Sequence, residues 1–150
     1  MKSVWTTAST KEKKPWGREI VWSTNAGTIT GKILHLNKGH RTSLKFNNVK
    51  NETLFVLQGV IVATYSDEDF EKHNQFQSKK LKPGDCLNVQ SCCPYRLKAI
   101  EDAVIVEIGD RVSGGVKRFH DDYGRELSTG AQNIIKASNA SSRSTEKEDT

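Results

Sequence analysis

GHRTSLKFNNVKNETLFVLQG, residues 39–59, begins and ends on glycine and carries one β-forming run, Glu52–Gln58, before the second glycine. Gly59 breaks the apolar stretch that would otherwise join Leu57 to Val60, so two strands are expected, Glu52–Gln58 and Val60–Ser66. Working outward, Glu19–Ser23, Ile29–Asn37, Cys86–Val89 and Val104–Ile108 have the same character: short, rich in β-branched or aromatic residues, and bounded by Gly, Asn, Asp or Pro. Pro83-Gly84-Asp85 is a turn signal ahead of one of them. No segment between these runs has a helical apolar stripe. Many short strands at this spacing imply an all-β sandwich or closed barrel.

The flanks read differently. Residues 1–14 form a polar leader and residues 128–150 a low-complexity tail, whose Ser, Asn, Thr and charged residues cannot bury enough surface to offset their ordering entropy. Both are expected to be flexible, leaving one domain at 15–127. At 150 residues a single core is affordable, and 35% apolar with 27% charged residues excludes collagen-like and coiled-coil chains. No run approaches the ~20 apolar residues of a membrane span, and the first residues lack the apolar run of a signal peptide, so a cytoplasmic location without membrane contact is expected. The formal charge of +5 raises the question of nucleic acid. The clusters Lys11, Lys13, Lys14 and Lys79, Lys80, Lys82 are not interleaved with stacking aromatics, so a solvated face is the reading and nucleic acid is not an expected partner. Cys86, Cys92 and Cys93 do not have zinc-site spacing and read as reduced thiols.

Gly39, Lys45, Asn47, Glu52 and Gly59 have the spacing of the first cupin motif, in which positions 45 and 47 are histidines; Gly84, Gln90, Cys92, Tyr95 and Ala99 have that of the second. The chain thus resembles the cupin superfamily, which implies a jelly-roll β-barrel. From Lys14 to Arg125 it is more specifically similar to the cupin domain of type II mannose-6-phosphate isomerases. Lys14-Pro15-Trp16-Gly17, Gly39 with Ser43-Leu44, Pro94-Tyr95-Arg96-Leu97, Val106-Glu107-Ile108 and Asp121-Asp122-Tyr123-Gly124-Arg125 carry that likeness in order. It implies a carbohydrate-processing or carbohydrate-binding protein of the kind found in polysaccharide biosynthesis, with a sugar phosphate or sugar nucleotide as ligand. A homodimer formed through edge strands is implied too. A non-catalytic cupin that binds a small ligand or a protein partner is the alternative.

Residues two apart on a strand share a face, so Lys45 and Asn47 should both point into the lumen, where a metallocupin directs ligands. An ammonium has no lone pair and an amide oxygen is a weak ligand, which leaves Glu52 as the good metal ligand among the matched positions. No metal and no other cofactor is therefore expected. Two readings stay open: a lumenal Lys45–Glu52 pair with Tyr95 and Asn47 as polar companions, or Lys45 extended to the barrel mouth and Glu52 in a structural hydrogen bond. If the protein is an isomerase, Glu52 is the candidate base, Lys45 the electrophile and Tyr95 the acid. His35 is the histidine to compare with the base of metal-free sugar-nucleotide isomerases and epimerases, with Leu34 and Leu36 the alternative lumen-facing set. His40, His73 and His120 read as surface residues. Among Lys32, Lys50, Arg96 and Arg125, the two arginines are the candidates to hold an anionic ligand, with Arg125 alternatively an ion-pair partner of Asp121 or Asp122. Trp16 and Trp22 read as packing residues.

Overall fold

A computed structural model describes residues 1–73 and 75–127; the expected tail at 128–150 lies outside them. In chain order the strands are β1 (Thr10–Lys14), β2 (Gly17–Val21), β3 (Ile29–Leu36), β4 (Leu44–Asn47), β5 (Glu52–Gln58) and β6 (Ile61–Tyr65). A four-residue helix, α1 (Phe70–His73), precedes β7 (Gln77–Leu81), β8 (Cys86–Val89), β9 (Tyr95–Ala99), β10 (Ala103–Asp110) and β11 (Val116–His120). They form two antiparallel sheets, β1-β2-β3-β10-β5-β8 and β11-β4-β9-β6-β7, which face one another as the walls of a jelly roll. No helix among the described residues is long and apolar enough to cross a membrane.

The alternation of each strand sorts its side chains between lumen and exterior. Strand β10 sets the pattern. Ala103, Ile105 and Glu107 share its inner face, in register with Leu36, Leu34 and Lys32 of β3. The first two positions of each strand join Val56, Ile61, Leu97 and Ala99 in a core from which water is excluded, each larger side chain contributing ~1.5–3 kcal/mol. The third positions are charged. The lumen is therefore apolar at one end and ionic at the other. Outside the smaller sheet, Leu44, Phe46, Phe70, Phe76 and Phe119 form a second cluster that holds α1 and β11 against β4.

Gly59 makes the β5–β6 turn possible. Its φ is +77°, and a Cβ there would lie 2.3 Å from the Asp102 carbonyl oxygen, so only glycine fits.

The leader is shorter than expected. Thr10–Lys14 pairs with Gly17–Val21 as an edge strand, and its Lys and Glu residues are the polar side chains that blunt a sheet edge. Strands β7 and β11 are also absent from the sequence reading, because Gln77–Leu81 and Val116–His120 are too polar to show a period of two. Trp22 is 41% exposed on the outer face, lying over Gly31, and is not a core residue.

Candidate functional site

The ionic end of the lumen encloses a cavity of about 190 Å³. That lies below the ~300–1,000 Å³ of pockets for drug-sized ligands and suits an occupant of monosaccharide size or smaller. Both sheets build it. The larger one supplies Lys14, Glu19, Lys32, Glu52 and Glu107, and the smaller one supplies Lys45, Tyr95 and Arg118. Lys50 enters from the turn before β5, and Arg125 from the segment after β11. Six cationic side chains thus line the cavity against three carboxylates.

These charges are arranged in groups. Lys50 Nζ donates to Glu52 Oε2 at 3.0 Å and to Glu107 Oε2 at 3.3 Å. The Tyr95 hydroxyl donates to Glu52 Oε1 at 2.6 Å, so Glu52 is held from both sides. Glu19 is held by Lys32 at 2.6 Å and Lys14 at 3.4 Å. Lys45 is different: it makes neither a salt bridge nor a hydrogen bond among the described residues, although its register partners are Tyr95 on β9 and Arg118 on β11.

Protonation follows from these surroundings. Burial disfavours the Lys50 charge, but Glu107 and Glu52 more than offset this and raise it above the ordinary lysine value. Burial pushes Lys45 below that value despite the attraction of Glu107 and Glu52, and the Lys32 and Arg118 charges push the same way. Burial and the adjacent Glu52 hold Glu107 above the ordinary carboxylate range in spite of three nearby lysines. Burial raises Glu19 as well, but there Lys32 and Lys14 prevail and the net shift is downward. The Tyr95 phenol is pushed well above its usual value by burial and then by Glu52 and Glu107.

Of the seven residues singled out in the sequence, Lys45, Glu52, Tyr95 and Arg125 line this cavity together. Of the two readings left open, the Lys45–Glu52 pair is not formed: Lys50 reaches the carboxylate from the turn beside it. Asn47 also borders the cavity, but its amide is committed to the loop: Oδ1 accepts from the Val49 and Lys50 N–H groups, and Nδ2 donates to the Gly114 carbonyl. His35 is corrected to the outer face, since Lys32, Leu34 and Leu36 take the inner positions of β3.

Arg96 is likewise outside the lumen. It is 2% exposed, donates from Nε and Nη2 to the Thr42 carbonyl, and lies 3.0 Å from Nδ1 of His120, which is thereby half-buried and not a surface residue. The closing segment is structural as well as lumenal. Asp121 accepts from the Arg125 side chain at 2.7 Å and from the Tyr123 and Arg125 N–H groups, and Asp122 receives both Nε and Nη2 of Arg41.

Glu107, Glu19 and Arg118 were not singled out. The signal for Glu107 was available: a carboxylate two and four residues after Ile105 and Ala103 on one strand face is a charge on a core stripe. Nothing comparable marks Glu19 or Arg118, whose strands have no clear apolar stripe.

The cupin resemblance implies a metal at positions 45, 47, 52 and 95, and the residues there do not fit one. Lys45 brings a positive charge, the Asn47 amide is engaged, and Glu52 already receives Lys50 and Tyr95. Among the described residues no three His, Cys, Asp or Glu side chains are grouped to hold a metal ion.

No protein-family model matches the sequence, and no curated protein matches it. Solved structures do match in shape. CapF, a capsular polysaccharide assembling protein from Staphylococcus aureus, superposes with a TM-score of 0.66 at 8% identity, over 78% of this chain and 33% of that one. Oxalate decarboxylase from Bacillus subtilis gives 0.63 at 14% identity, over 73% and 30%. KdgF from Halomonas sp. gives 0.58 at 11%, over 71% and 90%. The chain spans about a third of the length of the CapF and oxalate decarboxylase chains it matches. At these identities the likeness is one of fold, and with the two facing antiparallel sheets it establishes the chain as a cupin-type jelly roll.

Proposed function

We propose that the ionic end of the lumen binds a small, anionic, hydroxylated ligand, a sugar phosphate or sugar acid, using protein side chains where a metallocupin uses an ion. The observation that carries this reading is a monosaccharide-sized cavity lined by four lysines and two arginines against three carboxylates, with Arg125 also held by Asp121, and by the hydroxyl groups of Tyr95 and Ser43. The polysaccharide connection of CapF supports a carbohydrate ligand. In the finer reading, similar to mannose-6-phosphate isomerase, the carboxylates of Glu52 and Glu107 carry the proton between adjacent carbons and Lys45 polarises the carbonyl. A thermal-shift panel of sugar phosphates, hexuronates and neutral sugars, with and without Mn²⁺, tests it. Anionic sugars at ~100 times their Kd should add ~2.7 kcal/mol of stability without metal. A response only in the presence of Mn²⁺, or equally to neutral sugars, refutes the reading.

A second reading concerns assembly. Phe55, Val106, Ile33 and Ile20 stand in one register row across the outer face of the larger sheet, flanked by exposed Leu57, Ile108 and Trp22. Such a stripe fits a second copy of the chain packed face to face, not edge to edge. Light scattering coupled to size exclusion should give a dimer that Phe55→Glu dissociates, and a monomeric wild type removes this reading.

A further inference from the structure

Each of the other lysines lining the cavity is ion-paired with a carboxylate: Lys14 with Glu12 and Glu19, Lys32 with Glu19, and Lys50 with Glu52 and Glu107. Lys45 is not. It projects from the middle of β4, between the register partners Tyr95 and Arg118, into the cavity. The residue is half-buried and its amine is not tied to an acceptor among the described residues. We propose that Lys45 is a covalent capture site, its amine forming an imine with the aldehyde or ketone carbon of an anionic ligand.

The inference rests on the reading of the lumen as an anion-binding site and names the class of ligand: a small anion that also carries a carbonyl, such as a 2-oxo acid or an open-chain sugar phosphate. The cationic surplus selects the anion. The Lys45 side chain, which burial and the Lys32 and Arg118 charges dispose to lose its proton, supplies a nitrogen lone pair. That lone pair bonds to the carbonyl carbon while the carbonyl π pair moves to oxygen and is protonated. Departure of water, carrying the carbonyl oxygen and the two amine hydrogens, leaves the C=N bond. No electrons are exchanged with a co-reactant. The Tyr95 hydroxyl, from the adjacent strand and hydrogen-bonded to Glu52, is placed to hold the departing oxygen.

The test uses the native chain. Protein is incubated with pyruvate or glyoxylate and sodium cyanoborohydride, which fixes an imine as a stable secondary amine, and is analysed by intact mass and peptide mapping. The expected result is one reduced adduct per chain, on the peptide carrying Lys45, half-maximal at a lower pH than labelling of the surface lysines and suppressed by excess 6-phosphogluconate. Adducts spread over surface lysines, or none at Lys45, overturn the proposal. The two failures are separable. If 6-phosphogluconate raises the melting temperature but no adduct forms at Lys45, the covalent step falls and anion binding stands; if neither occurs, both fall.

Discussion

Replacing Lys50 with methionine isolates what holds the ionic end of the lumen together. Its Nζ lies 3.0 Å from Glu52 Oε2 and 3.3 Å from Glu107 Oε2, with the three side chains 14%, 10% and 8% exposed. At an effective dielectric constant of ~20, each contact is worth about 5 kcal/mol of gross attraction, most of it offset by the cost of desolvation. Removing the ammonium leaves two carboxylates facing each other with that cost unmet, and the expected loss is ~3–5 kcal/mol at pH 8. For a domain of this size that lowers Tm by roughly 10–20 °C. The loss must depend on pH. Glu107 already binds its proton more tightly in the folded chain than in the unfolded one. A carboxyl group raised in this way contributes stability that is present below its unfolded value of 4.5 and is lost as pH rises through its folded value. Without Lys50 that folded value rises further, so the variant should recover relative to wild type as pH falls from 8 to 5. Urea denaturation at both pH values measures this, and adding Glu107→Gln should restore roughly 1–3 kcal/mol at pH 8. A deficit under ~1 kcal/mol, or one equal at both pH values, would show that Lys50 is not the shared counter-charge.

Three further outcomes follow from single contacts. Tyr95→Phe removes the 2.6 Å hydrogen bond to Glu52 and should cost about 1.5–3 kcal/mol in chemical denaturation. It should also be non-additive with Glu52→Gln, and simple additivity would place the phenol elsewhere. Lys45→Met removes a desolvated ammonium that lacks a partner, and should stabilise the protein by roughly 1–2 kcal/mol at pH 7. Because the Lys45 value is lowered on folding, the unfolded chain binds the extra proton, wild-type stability from this group rises with pH up to 10.5, and the advantage of the variant should shrink by pH 10; a variant less stable at both pH values contradicts this. Gly59→Ala must hold a side chain at φ +77° against the Asp102 carbonyl, and should lower stability by at least ~2 kcal/mol in the same assay.

What could be read from the residues was what is local. The Glu52–Gln58 strand and the break at Gly59 are legible because a β-branched run and a forced positive φ act over a few residues. The same-face rule also placed Lys45 in the lumen, since it needs only a period of two. It could not say which carboxylate would meet which ammonium. Lys45 and Glu52 come from opposite sheets, whereas Lys50 lies two residues from Glu52 in the turn between them, and only the curvature of that turn decides which amine arrives. Arg96 failed for the complementary reason: beside a lumenal tyrosine on a strand, it had to face outward, where Thr42 and His120 receive it. Strand β1 was illegible because an edge strand is specified by its hydrogen bonds to β2 and not by an apolar face.

The pairing of charges also determines where a ligand must sit. Lys50 is committed to two carboxylates, Lys14 and Lys32 share a third, and Arg125 is held by Asp121, so Lys45 is the lining lysine left without a salt bridge to a carboxylate. The interior of the cavity and its rim differ in their exposure to counterions. Charges in solvent contact are screened beyond ~8–10 Å at 0.1–0.15 M salt, whereas an enclosed pair is screened little. An anion seated beside Lys45 should keep its affinity within about twofold between 0.05 and 0.5 M NaCl, while one held at the mouth should weaken by roughly tenfold. Calorimetric titration of 6-phosphogluconate across that range distinguishes the two. A steep salt dependence would move the anion to the solvent-exposed rim and leave Lys45 without the ligand that its isolation implies.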